Sequence, residues 1–190
     1  MRVDNPNLIV DTTARIRPMD LVSSSIITVA TATAVFTLPI KYPHFLLRIR
    51  DLVPSNDAED LQLRLSHNNG ATFDSSASNY SWTAIRLIPA GGGEGSATDT
   101  RFPLTSPGVP MGNASTEGMN GDVQLFGANQ TLVRFHASWQ TNFLTTTTAL
   151  GGWVGCGRGL VDGPTNAIQL SMSAGNINNA RIYLYGLEGL

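Results

Sequence analysis

Along most of this chain apolar and polar residues alternate with a period of two, the pattern of β-strands with one buried face. Phe45, Leu47 and Ile49 alternate with Leu46, Arg48 and Arg50, and Leu61-Gln62-Leu63-Arg64-Leu65 repeats the pattern. The last quarter does so twice, in Ile168-Gln169-Leu170-Ser171-Met172 and in Arg181-Ile182-Tyr183-Leu184-Tyr185. Further strands are expected over 26–38, 79–88, 122–126, 132–139 and 151–160. No segment carries an amphipathic helical period, and no internal repeat recurs. The pattern predicts an all-β chain of about ten strands, an antiparallel β-sandwich of jelly-roll-like type.

Two turns punctuate it. Gly175-Asn176 separates the last two alternating runs and reads as a hairpin turn. Ser66-His67-Asn68-Asn69-Gly70-Ala71-Thr72-Phe73 is similar to an Asp-box, the Ser-x-Asp-x-Gly-x-Thr-aromatic turn of sialidases and other propellers. Here Asn68 takes the Asp position. Its side-chain oxygen receives backbone donors, Gly70 takes a positive φ, and Phe73 packs beneath. Ser66, Asn68, Gly70, Thr72 and Phe73 are therefore read as a structural hairpin. A propeller needs several such boxes, and this chain has one.

Residues 1–25 read as an N-terminal arm, with short apolar pieces at Leu8-Ile9-Val10 and Leu21-Val22 among Asn, Pro, Asp and Ser. Residues 26–190 form a single sandwich domain. Within it, 89–118 reads as a long loop excursion, because Gly91-Gly92-Gly93, Pro103, Pro107 and Pro110 interrupt any long strand.

Composition narrows the function classes. Charged residues make up 14% of the 190, against about 25% in ordinary soluble domains. A surface so poor in charge is expected to lie partly against other chains. The net charge of -2 gives no electrostatic footprint for nucleic acid. No apolar run nears the ~18 residues of a membrane span, and Met1 to Pro6 lacks a signal-peptide core.

Candidate chemistry is sparse. His44, His67 and His136 are not spaced as a zinc site, and no G-x-S-x-G nucleophile turn occurs. Asp57, Glu59 and Asp60 lack the oxygen spacing of a calcium loop and read as a solvated loop. Gly151, Gly155, Gly157 and Gly159 lack a phosphate-loop context. Alternate glycines instead leave one strand face bare for close packing, as under a tryptophan. Cys156, the one cysteine, reads as a small buried hydrophobe. No catalytic residue, metal or cofactor is expected. Trp139 and Trp153 read first as core, and as the residues to contact a glycan if their rings are exposed.

The order Phe45-Leu46-Leu47-Arg48-Ile49-Arg50-Asp51-Leu52-Val53-Pro54, Leu63-Arg64-Leu65-Ser66, Gly70-Ala71-Thr72-Phe73-Asp74 and Ser78-Asn79-Tyr80-Ser81-Trp82 resembles a family of small bacteriophage virion proteins. Glu117-Gly118-Met119-Asn120-Gly121-Asp122-Val123 and the ending from Ile168 to Leu187 resemble it too. The resemblance implies a non-enzymatic β-sandwich component of the phage particle, located in the virion. Its foremost form is a capsid decoration or cement protein, bound to other virion proteins and to copies of itself, a trimer being one closed form. The alternative is a small tail or fibre protein touching host surface glycans. A carbohydrate-active, sialidase-like domain rests on the single Asp-box-like turn alone.

Overall fold

A computed structural model describes residues 19–88 and 91–187. Among the described residues twelve strands and no helix form two antiparallel sheets packed as a sandwich. The larger sheet holds, in spatial order, β1 (Asp20–Ile27), β12 (Ile177–Leu187), β3 (His44–Pro54), β8 (Met119–Phe126), β9 (His136–Leu144), β10 (Leu150–Gly159), β5 (Tyr80–Arg86) and β6 (Gly93–Asp99). The smaller holds β2 (Thr33–Thr37), β11 (Ala167–Met172), β4 (Leu61–Ser66) and β7 (Phe102–Pro103). Leaving out β5, β6, β9 and β10, the other strands lie in the orders β1-β12-β3-β8 and β2-β11-β4-β7. Along that frame the chain changes sheet at every link except β4 to β7.

The alternation explains the core. Phe45, Leu47 and Ile49 of β3, Val123 and Leu125 of β8 and Ile182 and Leu184 of β12 point between the sheets. They meet Leu61, Leu63 and Leu65 of β4 and Ile168 and Leu170 of β11, all essentially without solvent contact. The larger sheet extends beyond the smaller one, and the segment after β6 covers part of the excess. Phe102, Leu104 and Met111 are fully buried there. The Trp153 indole donates to the Pro103 carbonyl at 3.0 Å, and Thr141 donates to the Leu104 carbonyl at 2.7 Å.

The alternate glycines of β10 leave its inner face bare. A Cβ on Gly155 would meet the Trp139 ring at 2.5 Å, one on Gly157 the Phe102 ring at 2.7 Å, and one on Gly159 Leu65 at 2.9 Å. Large side chains thus sit directly on backbone, which is how rings of this size fit between two sheets.

Several expectations change. Neither predicted hairpin is one: β4 and β5, like β11 and β12, lie in different sheets. The Ser66–Phe73 and Gly175-Asn176 turns are corners that carry the chain across the sandwich. Alternation marks a half-buried strand but not its partner, so a corner and a hairpin look alike in sequence. The stretch read as an arm also reaches into the sheet, since β1 starts at Asp20 and pairs with β12. Residues 1–18, with Leu8-Ile9-Val10, lie outside the described residues. The 89–118 excursion contains β6 and β7 and contributes to the core. Its glycine-rich start pairs with β5 through Glu94 opposite Ala84 and Gly95 opposite Thr83.

Candidate functional site

The Asp-box-like corner is a dense local network. Ser66, fully buried, accepts from the amides of Gly70 at 2.9 Å and Asn68 at 3.3 Å and donates to Asn68 Oδ1 at 2.9 Å. Asn68 Oδ1 also accepts from the Thr72 amide at 2.9 Å, while Nδ2 donates to the Thr72 hydroxyl at 2.8 Å. Gly70 has φ +84°, with the Phe73 ring in ordinary contact beneath it. The corner is tied to the rest of the fold as well. His67 Nδ1 meets the Pro164 carbonyl at 3.2 Å and Nε2 meets Asp74 at 3.0 Å. Because a carbonyl only accepts, Nδ1 carries a proton. Burial raises the Asp74 carboxyl above its ordinary range, against the pull of His67. The Ser66, His67, Asn68 and Thr72 side chains are thus spent on the turn and its neighbours.

The second corner is built similarly. Gly175 has φ +70°, and Ser55 accepts from the Asn176 amide at 2.8 Å. Nearby, Glu59 accepts from the Ser173 hydroxyl and the Ala174 amide and the Asp60 carboxyl is largely buried, so two members of the acidic cluster expected as a solvated loop belong to the folded structure. Among the described residues no group of His, Cys, Asp or Glu is arranged to hold a metal ion.

The tryptophans singled out for glycan contact do not serve it here. Trp139 is 3% and Trp153 0% exposed. Their rings pack against Phe102 and Trp82, and a ring without a free face cannot stack on a sugar. Cys156 shows the reverse: it is exposed on the outer side of β10, opposite Ser138 and Thr83.

Among the described residues no third layer covers the outer face of the larger sheet. Near its middle stands a polar and aromatic cluster that sequence reading passed over. Tyr183 and Tyr185 both project from this face of β12, since Ile182 and Leu184 point inward. Their rings are partly exposed, 6.5 Å apart and 32° from parallel. In register, Tyr183 lies beside Arg48 and Tyr185 beside Leu46 of β3. Arg48 donates to both oxygens of Asp122, each at 3.2 Å, and Arg50 reaches the same carboxylate at 3.0 Å. Burial raises the Asp122 carboxyl, but the Arg48 hydrogen bond and the Arg50 charge outweigh it and hold it below its usual range. The signal was available: aromatic and charged residues at i and i+2 of a half-buried strand share its outer face.

The cluster opens into shallow relief. A depression of about 230 Å³ is bounded by Arg50, Asn120, Asp122, Gln140 and Asn142. A larger one, about 510 Å³, shares Asn120 and Asn142 and adds Asp51, Asn179 and Arg181. Between them β3 bulges at Asp51, which takes φ +54°. Asn120 Oδ1 accepts its amide at 3.2 Å and Asn179 Nδ2 donates to its carbonyl at 2.9 Å. Such a bulge re-aims side chains at the rim of a surface site.

One end of the sandwich has a different character. Asp20, where β1 begins, accepts from the Tyr42 hydroxyl at 2.8 Å, so the start of β1 is tied to the 38–43 turn. The 127–135 loop shares this end: Asn129 donates to the Leu38 carbonyl at 2.9 Å, and the Ala128 amide to the Pro43 carbonyl at 3.1 Å. The exposed apolar side chains of these two loops are Ile40 at 87%, Leu132 at 97% and Val133 at 55%, beside the exposed polar Lys41, Gln130, Thr131 and Arg134.

Compared with protein-family models and with curated proteins, the chain matches none.

Proposed function

We propose that this chain is a non-enzymatic structural protein of a bacteriophage particle, a decoration protein that seats on the capsid and associates with copies of itself. The observation that carries the reading is the end where the chain reaches Asp20. There Ile40 and Leu132, almost wholly exposed, stand on the two loops that share the end where β1 begins. Single exposed apolar residues are ordinary, but several gathered on one end make a surface suited to docking. The eight-strand frame, read as a jelly roll, supports a role as a rigid building unit. Strands β1 and β6 at the edges of the larger sheet leave ladder groups that lateral contact between copies would satisfy, and closed rings such as trimers finish such contacts. The low charge of the chain, 14%, fits a protein much of whose surface faces other protein.

The test is Ile40→Asp combined with Leu132→Asp. Both side chains are in solvent, so melting should move by no more than about 3 °C. Co-sedimentation with phage particles should fall at least about tenfold. Undiminished co-sedimentation would remove this end as the seat.

The tail or fibre reading keeps one specific support, the paired tyrosines on the open sheet face.

A further inference from the structure

The open face of the larger sheet carries a constellation that the docking end does not use. We propose that it binds an anionic glycan, a sugar chain bearing carboxylates, across Tyr183, Tyr185, Arg48 and the adjoining amide-lined depression. The cluster joins three elements of such a site on one surface: two ring faces, an excess of guanidinium and a row of amides.

The rings come first. Tyr183 and Tyr185 are each partly exposed, with ring centroids 6.5 Å apart, and an aromatic face attracts the weakly positive C–H face of a sugar ring. Charge adds direction. Arg48 and Arg50 share one carboxylate, Asp122. Arg181, beside Arg50 in register, faces Asp51 only at 3.7 Å. These groups leave one positive charge unmatched on a chain whose net charge is -2. Glu117, on the far wall of the larger depression, is buried and turned onto the Ala114 amide at 2.8 Å. Arg48 already makes a two-point pair with Asp122 and Arg50 Nη1 donates to the Ile49 and Gly121 carbonyls, so an arriving carboxylate would be held by the charge of the two partly exposed guanidiniums, which Asp122 alone does not balance.

The amides supply the rest. Asn120, Gln140 and Asn142 line the depression next to Asp122, and each carries both donors and an acceptor, the set that vicinal hydroxyls require. The depression is shallow and polar, without the deep apolar socket that would anchor a peptide side chain. An extended, hydroxyl-rich, acidic chain matches this chemistry.

The isolated protein, applied to a glycan array of uronate-containing, sialylated and neutral chains, tests this apart from any particle. Acidic chains should be retained and neutral ones should bind at least about tenfold more weakly. In titration with the best acidic oligosaccharide, Tyr183→Ala and Arg48→Gln should each weaken binding about tenfold, while both chains keep the parent's β-sheet circular dichroism. Tyr183→Phe, which keeps the ring, should retain binding and guards against misfolding as the cause. Retention of neutral chains alone, no retention anywhere, preference for a poly-glutamate peptide, or indifference to both variants would each overturn the proposal.

Discussion

Gly155 lies directly beneath Trp139: a methyl group on its Cα would stand 2.5 Å from Cζ2 of the indole and 2.7 Å from the Ala84 Cβ. Neither neighbour can yield, because Trp139 is wedged against Phe102 and Ala84 is held in the adjacent strand.

Gly155→Ala should therefore destabilise the fold by roughly 1–3 kcal/mol through overpacking, although alanine favours a strand no less than glycine does. Urea denaturation followed by tryptophan fluorescence measures it. An unchanged midpoint would mean that the ring does not sit on bare backbone.

The Asp-box-like corner makes a second prediction. Gly70 has φ +84°, where a β-branched side chain is strained, and its amide is held by Ser66. Gly70→Val should lower stability by about 1–3 kcal/mol, and Asn68→Ala by a comparable amount. Glycan binding on the open face should be unaffected. Unaltered unfolding of both variants would mean the corner is misassigned.

Burial pushes the Asp60 carboxyl up to about 6, with Arg101 opposing and Glu59 and Glu94 adding to it. Its Oδ1 is buried without a hydrogen-bond partner. Because the folded value lies above the ordinary 3.8, the folded chain keeps this proton where the unfolded chain has lost it. The contribution to stability is then fully present below about pH 4 and declines as pH rises to about 6. Asp122, held low by its arginines, acts with the opposite sign, its contribution being lost as pH falls. The comparison that isolates Asp60 is Asp60→Asn against the parent chain in urea at pH 4.5, 6 and 7.5. The variant should gain stability relative to the parent as pH rises, and a constant difference would contradict this account of the carboxyl.

Truncation separates residues 1–18 from the strand that follows them. The chain 19–190 should melt within about 3 °C of the parent, whereas 26–190 loses most of β1 and uncovers β12, and should melt at least about 10 °C lower. Circular dichroism follows both. Equal melting of the two would mean that β1 is dispensable, against its pairing along Asp20 to Ile27.

The regularity of β3, β4 and β12 was legible because a single alternation settles which residues are buried. The bare inner face of β10 was legible for a related reason, since glycine at alternate positions has few other uses in a strand. Pairing was not. The residues around Gly70 and Gly175 specify a tight reversal, but whether the chain returns to the same sheet depends on distant strands. Strand β6 was hidden for another reason. Gly93-Glu94-Gly95-Ser96 has little strand propensity, and tertiary contacts support it: Glu94 pairs with Arg86 at 2.9 Å and Asp99 accepts from the Trp82 indole at 2.8 Å. For the surface chemistry, the tryptophans are the larger rings but lie in the core, whereas the i, i+2 spacing of Tyr183 and Tyr185 places both rings on the face away from Ile182 and Leu184.

The most direct test of the central claim is immunogold electron microscopy, with antibody to this chain, of particles of the phage that encodes it. Decoration predicts label distributed over the capsid. Label confined to the tail would contradict a capsid seat, and particles without label would contradict a place in the virion altogether.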